Sequence, residues 1–202
     1  RMDPLARVLA ASIHSDEKSP TRVVACVLDD GGPLGPTTMA VFENCSVSVR
    51  KFTPVLKGKF NYPIGNKLDA LLQCGSDDEN GLSVIMDTDI ASMGEFDIRK
   101  LRSETESADF AAAPIFGAQV FTLANRGLFD DLSEKLAIGG RVAMSPMPKR
   151  KEQLEAFNAG FVLTTSNGAR QRWHELTEQV LADARTPEKL RFPFAVQVAL
   201  AL

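Results

Sequence analysis

The feature that most restricts the fold is the apolar run at residues 82–86 (LSVIM), which gives way at once to Asp87, Thr88 and Asp89. Five positions, four of them apolar, bounded by a polar, Gly-containing stretch (CGSDDENG) are too few for a buried helix. They read instead as a strand covered on both faces, the kind found in parallel sheets. Helical and strand patterns alternate around it. Leu5, Val8, Leu9, Ser12 and Ile13 recur at helical spacing behind Asp3 as N-cap and Pro4 at the first helical position. Residues 22–28 (RVVACVL), a short β-branched apolar run, read as a buried strand followed by the turn-rich loop DDGGPLGP.

Within residues 39–52, Val47 and Val49 alternate with Ser46, Ser48 and Arg50, as in a half-exposed strand, and the following KFTPVLKGKFNYP reads as loop. Residues 66–73 (NKLDALLQ) predict a helix, 109–116 a strand, 128–137 a helix and 161–165 a short strand. Trp173, Leu176 and Val180 mark one face of a helix over 169–184. Strands alternating with helices predict an α/β domain with a mostly parallel sheet flanked by helices. A single domain over residues 1–202 is expected. It is open at one or both ends, because the last segment stops in an apolar helical run with no closing signal and an Arg precedes Met2.

Charge and composition remove several function classes. With 23 basic and 26 acidic residues, a net charge of −3 supplies no broad positive field for nucleic acid. The longest apolar run, residues 23–28, is far short of the roughly 20 residues of a membrane span. No signal-peptide pattern opens the chain, so a cytoplasmic location is expected. Cys26, Cys45 and Cys74 are scattered, without zinc spacing, and read as ordinary thiols. His14 and His174 have no partner at ligand spacing and read as surface or internally satisfied histidines.

The chemistry concentrates at the end of residues 82–86. In an extended segment, residues two apart project to one side, so Asp87 and Asp89 can aim both carboxylates at one point beyond the strand, where open α/β sheets bind ligands. Two hard oxygen donors suit Mg²⁺ or Mn²⁺, whose remaining positions are filled by phosphate oxygens and water. Lys67 lies one helix upstream and offers a point charge suited to phosphate. Asn158 offers a donor and an acceptor to sugar hydroxyls, and Gly160 allows close backbone approach just ahead of a strand.

The order NKL, apolar strand with DTD, FNAGF, then PFAVQVAL resembles nucleotide-sugar glycosyltransferases of the GT-A fold, a Rossmann-like architecture, and particularly the glycogenin-like group, over about residues 60–202. The resemblance implies a metal-dependent transferase that moves a sugar from a nucleoside diphosphate donor, with a UDP-sugar favoured, to an unknown acceptor. It implies Mn²⁺ or Mg²⁺ on the metal ligands Asp87 and Asp89. It places Asn66, Lys67, Asp87, Asn158 and Gly160 against the donor, with Lys67, Asn158 and Gln197 in catalytic positions. Val196 departs from the family's DQ pair, so the carboxylate expected beside the sugar would have to come from elsewhere, for instance Asp109 or Glu152. Two other readings carry the same motif. One is a GT-A-like module that binds nucleotide or a partner without turnover; the other is a phosphatase of the haloacid dehalogenase type, whose DxD normally opens the domain.

Overall fold

The computed structural model describes residues 3–16, 22–76, 78, 81–90, 97–105, 108–114, 121–136, 138, 154–184 and 186–202. The chain runs α1 (Asp3–Asp16), β1 (Val24–Leu28), α2 (Pro36–Asn44), β2 (Ser48–Phe52), α3 (Val55–Phe60), α4 (Asn66–Cys74), β3 (Ser83–Met86), α5 (Ile98–Glu104), β4 (Phe110–Pro114), α6 (Arg126–Lys135), β5 (Phe157–Thr164), α7 (Asn167–Ala182), α8 (Glu188–Arg191) and α9 (Ala195–Ala201). The α/β character is as the sequence predicts. The strand directions are not. β1 and β2 form a parallel pair, Val24 opposite Ser48, but β3 sits at the edge of a three-stranded antiparallel sheet in the order β3–β5–β4. An apolar run reports that both faces of a strand are covered and says nothing about the direction of its neighbour. Here β3 packs on α4 and borders a cavity, so it is only partly buried, while its neighbour, β5, returns from far down the chain.

Four helices escape the sequence reading. Residues 36–44 are helical, with Pro36 opening the helix and Thr38 and Phe42, four apart, as its buried side. Residues 55–60 wind into α3, which buries Leu56 and ends on Asn61 in the left-handed conformation at φ 53°. α5 is likewise unannounced. So is α8, and each of the four is at most about two and a half turns long, too short for a helical period to stand out. Conversely, β5 is longer than expected: Phe157, Asn158, Ala159 and Gly160 lie on the strand and not in a turn before it.

Most of the core gathers around α7. Ser166 caps this helix by accepting the Ala169 N–H at 3.0 Å, and Trp173, Leu176 and Val180 bury the predicted face. They join Leu68 of α4, Phe129 of α6, Val162 of β5 and Val196 of α9 in one apolar cluster. Burying side chains of this size contributes on the order of 1.5–3 kcal/mol each. Trp173 Nε1 donates to the Val196 carbonyl at 3.0 Å and so ties the last helix to that cluster. α4 packs against β1, β2 and β3, so it spans both sheets. Among the described residues, no helix is long and apolar enough to cross a membrane.

Candidate active site at the end of β3

The antiparallel pairing of β3 with β5 builds the site. The Asp87 N–H donates to the Gly160 carbonyl at 2.7 Å, which continues the ladder one residue past Met86 and sets the DTD segment beside the FNAG segment. The chain then turns: Ile90 N–H donates to the Asp87 carbonyl at 3.1 Å, so Thr88 and Asp89 occupy the middle of a turn. The alternation expected of an extended segment therefore does not operate here. Asp87, Thr88 and Asp89 reach one cavity through the turn instead. Asp89 is exposed, and Asp87 is half-buried.

Asp87 is held from two sides. Lys67, in the first turn of α4, donates from Nζ to both carboxylate oxygens at 2.8 Å and to the Ala159 carbonyl at 3.2 Å. An ammonium has three donors, and these contacts use all of them. On the other side, Gly160 stands where a Cβ would lie 2.9 Å from Asp87 Oδ2 and 3.1 Å from Asn158 Oδ1. Only glycine leaves room for the carboxylate here. Asn158 Oδ1 accepts the Gly160 N–H at 2.8 Å, which fixes its amide orientation because that N–H can only donate, and leaves the amide N–H₂ as a donor on an exposed side chain.

The cavity measures about 1110 Å³ and is lined by β1, β3, α1 and α4. Its helical walls are apolar: Ala6, Leu9 and Ile13 from α1, Ala70 and Leu71 from α4. β1 is half-exposed, unlike the buried strand that its sequence predicts, because it borders this space. Polar groups collect at the end near Lys67 and Asp87. There Asn66 Oδ1 and Thr88 Oγ1 are buried without a hydrogen-bond partner, so the cavity wall holds an acceptor and a hydroxyl that a ligand can satisfy. Cys26 and Cys74 also line the cavity. Desolvation at the cavity wall, then the neighbouring Cys74, pushes the Cys26 thiol up, although the residue as a whole is exposed. All three cysteines are free.

Lys67, Asp87, Asn158 and Gly160, from three separated segments, thus meet at one point; Asn66, Lys67, Asp87 and Asp89 line the cavity, while Asn158 and Gly160 touch Asp87 from β5 without lining it. Gln197 is not among the lining residues. It lies on α9 with its Oε1 buried and without a partner. Val196 is fully buried; its carbonyl is taken by Trp173 and its N–H donates to Tyr62 Oη at 3.3 Å. A carboxylate at 196 would be buried in the core, so this packing requires the apolar residue found there. Asp109 is exposed at the start of β4, and Glu152 lies outside the described residues. Thr88 and the Ala159 carbonyl were not anticipated. No side-chain signal could have marked the carbonyl, because β-register alone turns it toward Lys67.

Among the described residues, no three of His, Cys, Asp and Glu converge as a metal cage. The acids available are Asp87 and Asp89, a donor set of the kind Mg²⁺ and Mn²⁺ complete with water and a ligand's phosphate oxygens. No curated protein and no solved structure matches the chain. One family model does, across residues 1–202, and its description is a Rhodobacterales glycosyltransferase domain. The chain belongs to this glycosyltransferase family.

Proposed function

We propose that this glycosyltransferase domain is a GT-A-like enzyme that takes its sugar from a nucleoside diphosphate donor, bound through a divalent ion at the end of β3. The observation that carries the reading is the meeting of Lys67, Asp87, Asn158 and Gly160 at the end of β3, with Lys67 and Asp87 lining the cavity. In this reading Asp87 and Asp89 hold Mn²⁺ or Mg²⁺, and Lys67 contacts the diphosphate. The Asn158 amide and the backbone at Gly160 face the donor sugar. Asn66 and Thr88 offer their unpartnered oxygens to the nucleoside portion. The ion supplies Lewis-acid neutralisation of the departing diphosphate. Lys67 adds fixed positive charge where negative charge develops on the leaving group, in a partly dry site where such charge is effective. Gln197 receives no role, because nothing places it at the cavity.

The non-catalytic alternative draws on Val196 and on the open ends expected of the chain. Since that residue is a core position, its apolar side chain is no evidence of a lost activity.

Calorimetric titration with uridine diphosphate and other nucleoside diphosphates, with and without Mn²⁺, tests the proposal. Binding is expected to require the ion, and Asp89→Asn, at an exposed position, is expected to remove the metal-dependent part of the affinity while melting near the parent temperature. Mn²⁺-dependent binding that is unchanged in Asp89→Asn would overturn the metal assignment. Absence of binding for every diphosphate would overturn the donor class.

A further inference from the structure

In the structure the carboxylate proposed as a metal ligand already has a cation. Lys67 Nζ bridges both Asp87 oxygens at 2.8 Å and spends its third proton on Ala159, so the ammonium has no donor left for a phosphate. The Lys67 side chain is 18% exposed and that of Asp87 39%, so the pair sits at the cavity wall and not in the core. Lysine carries its charge on a flexible four-carbon stem, which allows the ammonium to swing without moving α4.

We propose that Lys67 is a stand-in cation which holds Asp87 in place and moves from the carboxylate to the diphosphate when the ion binds. This rests on the reading of Asp87 as a metal ligand. The exchange makes three events one: Asp87 gives up its ammonium, the ion takes the carboxylate, and the displaced ammonium gains the phosphate as its partner. It follows that the free protein binds the ion weakly, and that ion and diphosphate strengthen each other's binding by the same factor. A lysine that served only as a phosphate contact would leave the affinity for the ion alone untouched.

The experiment is titration of the protein with Mn²⁺ alone, read by electron paramagnetic resonance, and with uridine diphosphate in saturating Mn²⁺, read by calorimetry. The proteins compared are the parent, Lys67→Met, Lys67→Arg and Asp87→Asn. Lys67→Met is expected to bind Mn²⁺ alone at least about tenfold more tightly than the parent and the diphosphate at least about tenfold more weakly. Lys67→Arg, which keeps the charge, is expected to keep weak Mn²⁺ binding, and it serves as the folded control if Lys67→Met melts early. If Asp87→Asn abolishes Mn²⁺ binding while Lys67→Met leaves it unchanged or weaker, the stand-in role is overturned and the metal site survives. Tighter Mn²⁺ with unchanged diphosphate affinity in Lys67→Met overturns the exchange. If Asp87→Asn has no effect on Mn²⁺, or neither the parent nor Lys67→Met binds it, the metal site and the inference built on it both fall.

Discussion

Helix α4 carries two ionisable pairs two residues apart, and they differ in almost every respect. Lys67 meets Asp87 at the wall of a cavity, with side chains 18% and 39% exposed. Asp69 meets His174 of α7 at 2.9 Å with side chains 1% and 11% exposed, and its second oxygen accepts the Leu56 N–H at 3.0 Å. The lesson is that helical geometry sorts these roles. Positions 67 and 69 point away from each other on a 3.6-residue turn, one toward the strand ends and one into the interior, where the carboxylate joins α3, α4 and α7. The buried pair closes its local hydrogen-bond accounts within the protein and organises the fold. The cavity pair can exchange partners with a ligand.

The sharpest way to break this comparison is to remove Asp69. Asp69→Ala strands the His174 ring nitrogen and the Leu56 N–H in the interior, and a loss of about 3–5 kcal/mol in urea denaturation is expected. The protein that remains folded should bind Mn²⁺ and diphosphate as before. A loss below about 1 kcal/mol would show that the buried pair is dispensable.

Tyr62 tests the buried side of the comparison with pH. Its hydroxyl donates to the Pro193 carbonyl at 2.7 Å, and burial raises it from about 10 to about 12 against a smaller opposing effect of the Val196 backbone. The folded state holds this proton more tightly than the unfolded chain does. Its contribution is therefore complete below about pH 10 and is lost as pH climbs toward 12, on the order of 2–3 kcal/mol across that window. Tyr62→Phe should remove that part of the alkaline slope in denaturation curves; an identical slope would contradict it.

At the cavity, Gly160→Ala drives a methyl against Asp87 Oδ2 and Asn158 Oδ1. A stability loss of roughly 1–3 kcal/mol is expected, with weaker diphosphate binding in the same titrations. Parent-like binding would show that the carboxylate has room to move. The smallest stability effect belongs to Lys67→Met, expected within about 1 kcal/mol because a half-exposed pair contributes little to folding. If it cost as much as Asp69→Ala, the two pairs on α4 would not differ in kind.

Much of the site could be read from residue types. DTD after an apolar strand, a lysine upstream and FNAG downstream are chemically distinctive, and those residues do meet. The reasons for their meeting were less legible. Strand alternation predicts that Asp87 and Asp89 share one side, but a turn replaces the strand there, because the ladder stops at Asp87 and Ile90 closes back on it. The resemblance to the glycogenin-like group reads Val196 as a missing carboxylate, whereas its contacts with Trp173 and Tyr62 hold it in the core. For His174 the sequence leaves a surface or an internally satisfied histidine open; the structure makes it the second, and its partner, 105 positions away, has no local signature.

By itself the sequence determined the long helices, the apolar strands and the residue types capable of binding an ion and a phosphate. Those follow from periodicity and side-chain chemistry, which act over a few neighbouring positions. Tertiary structure alone decided the antiparallel partner of β3, the short helices α2, α3, α5 and α8, the cavity, and the fact that Lys67 spends all three of its protons within the protein. Each depends on segments tens of residues apart meeting at hydrogen-bond distance, and no local pattern encodes which of them will meet.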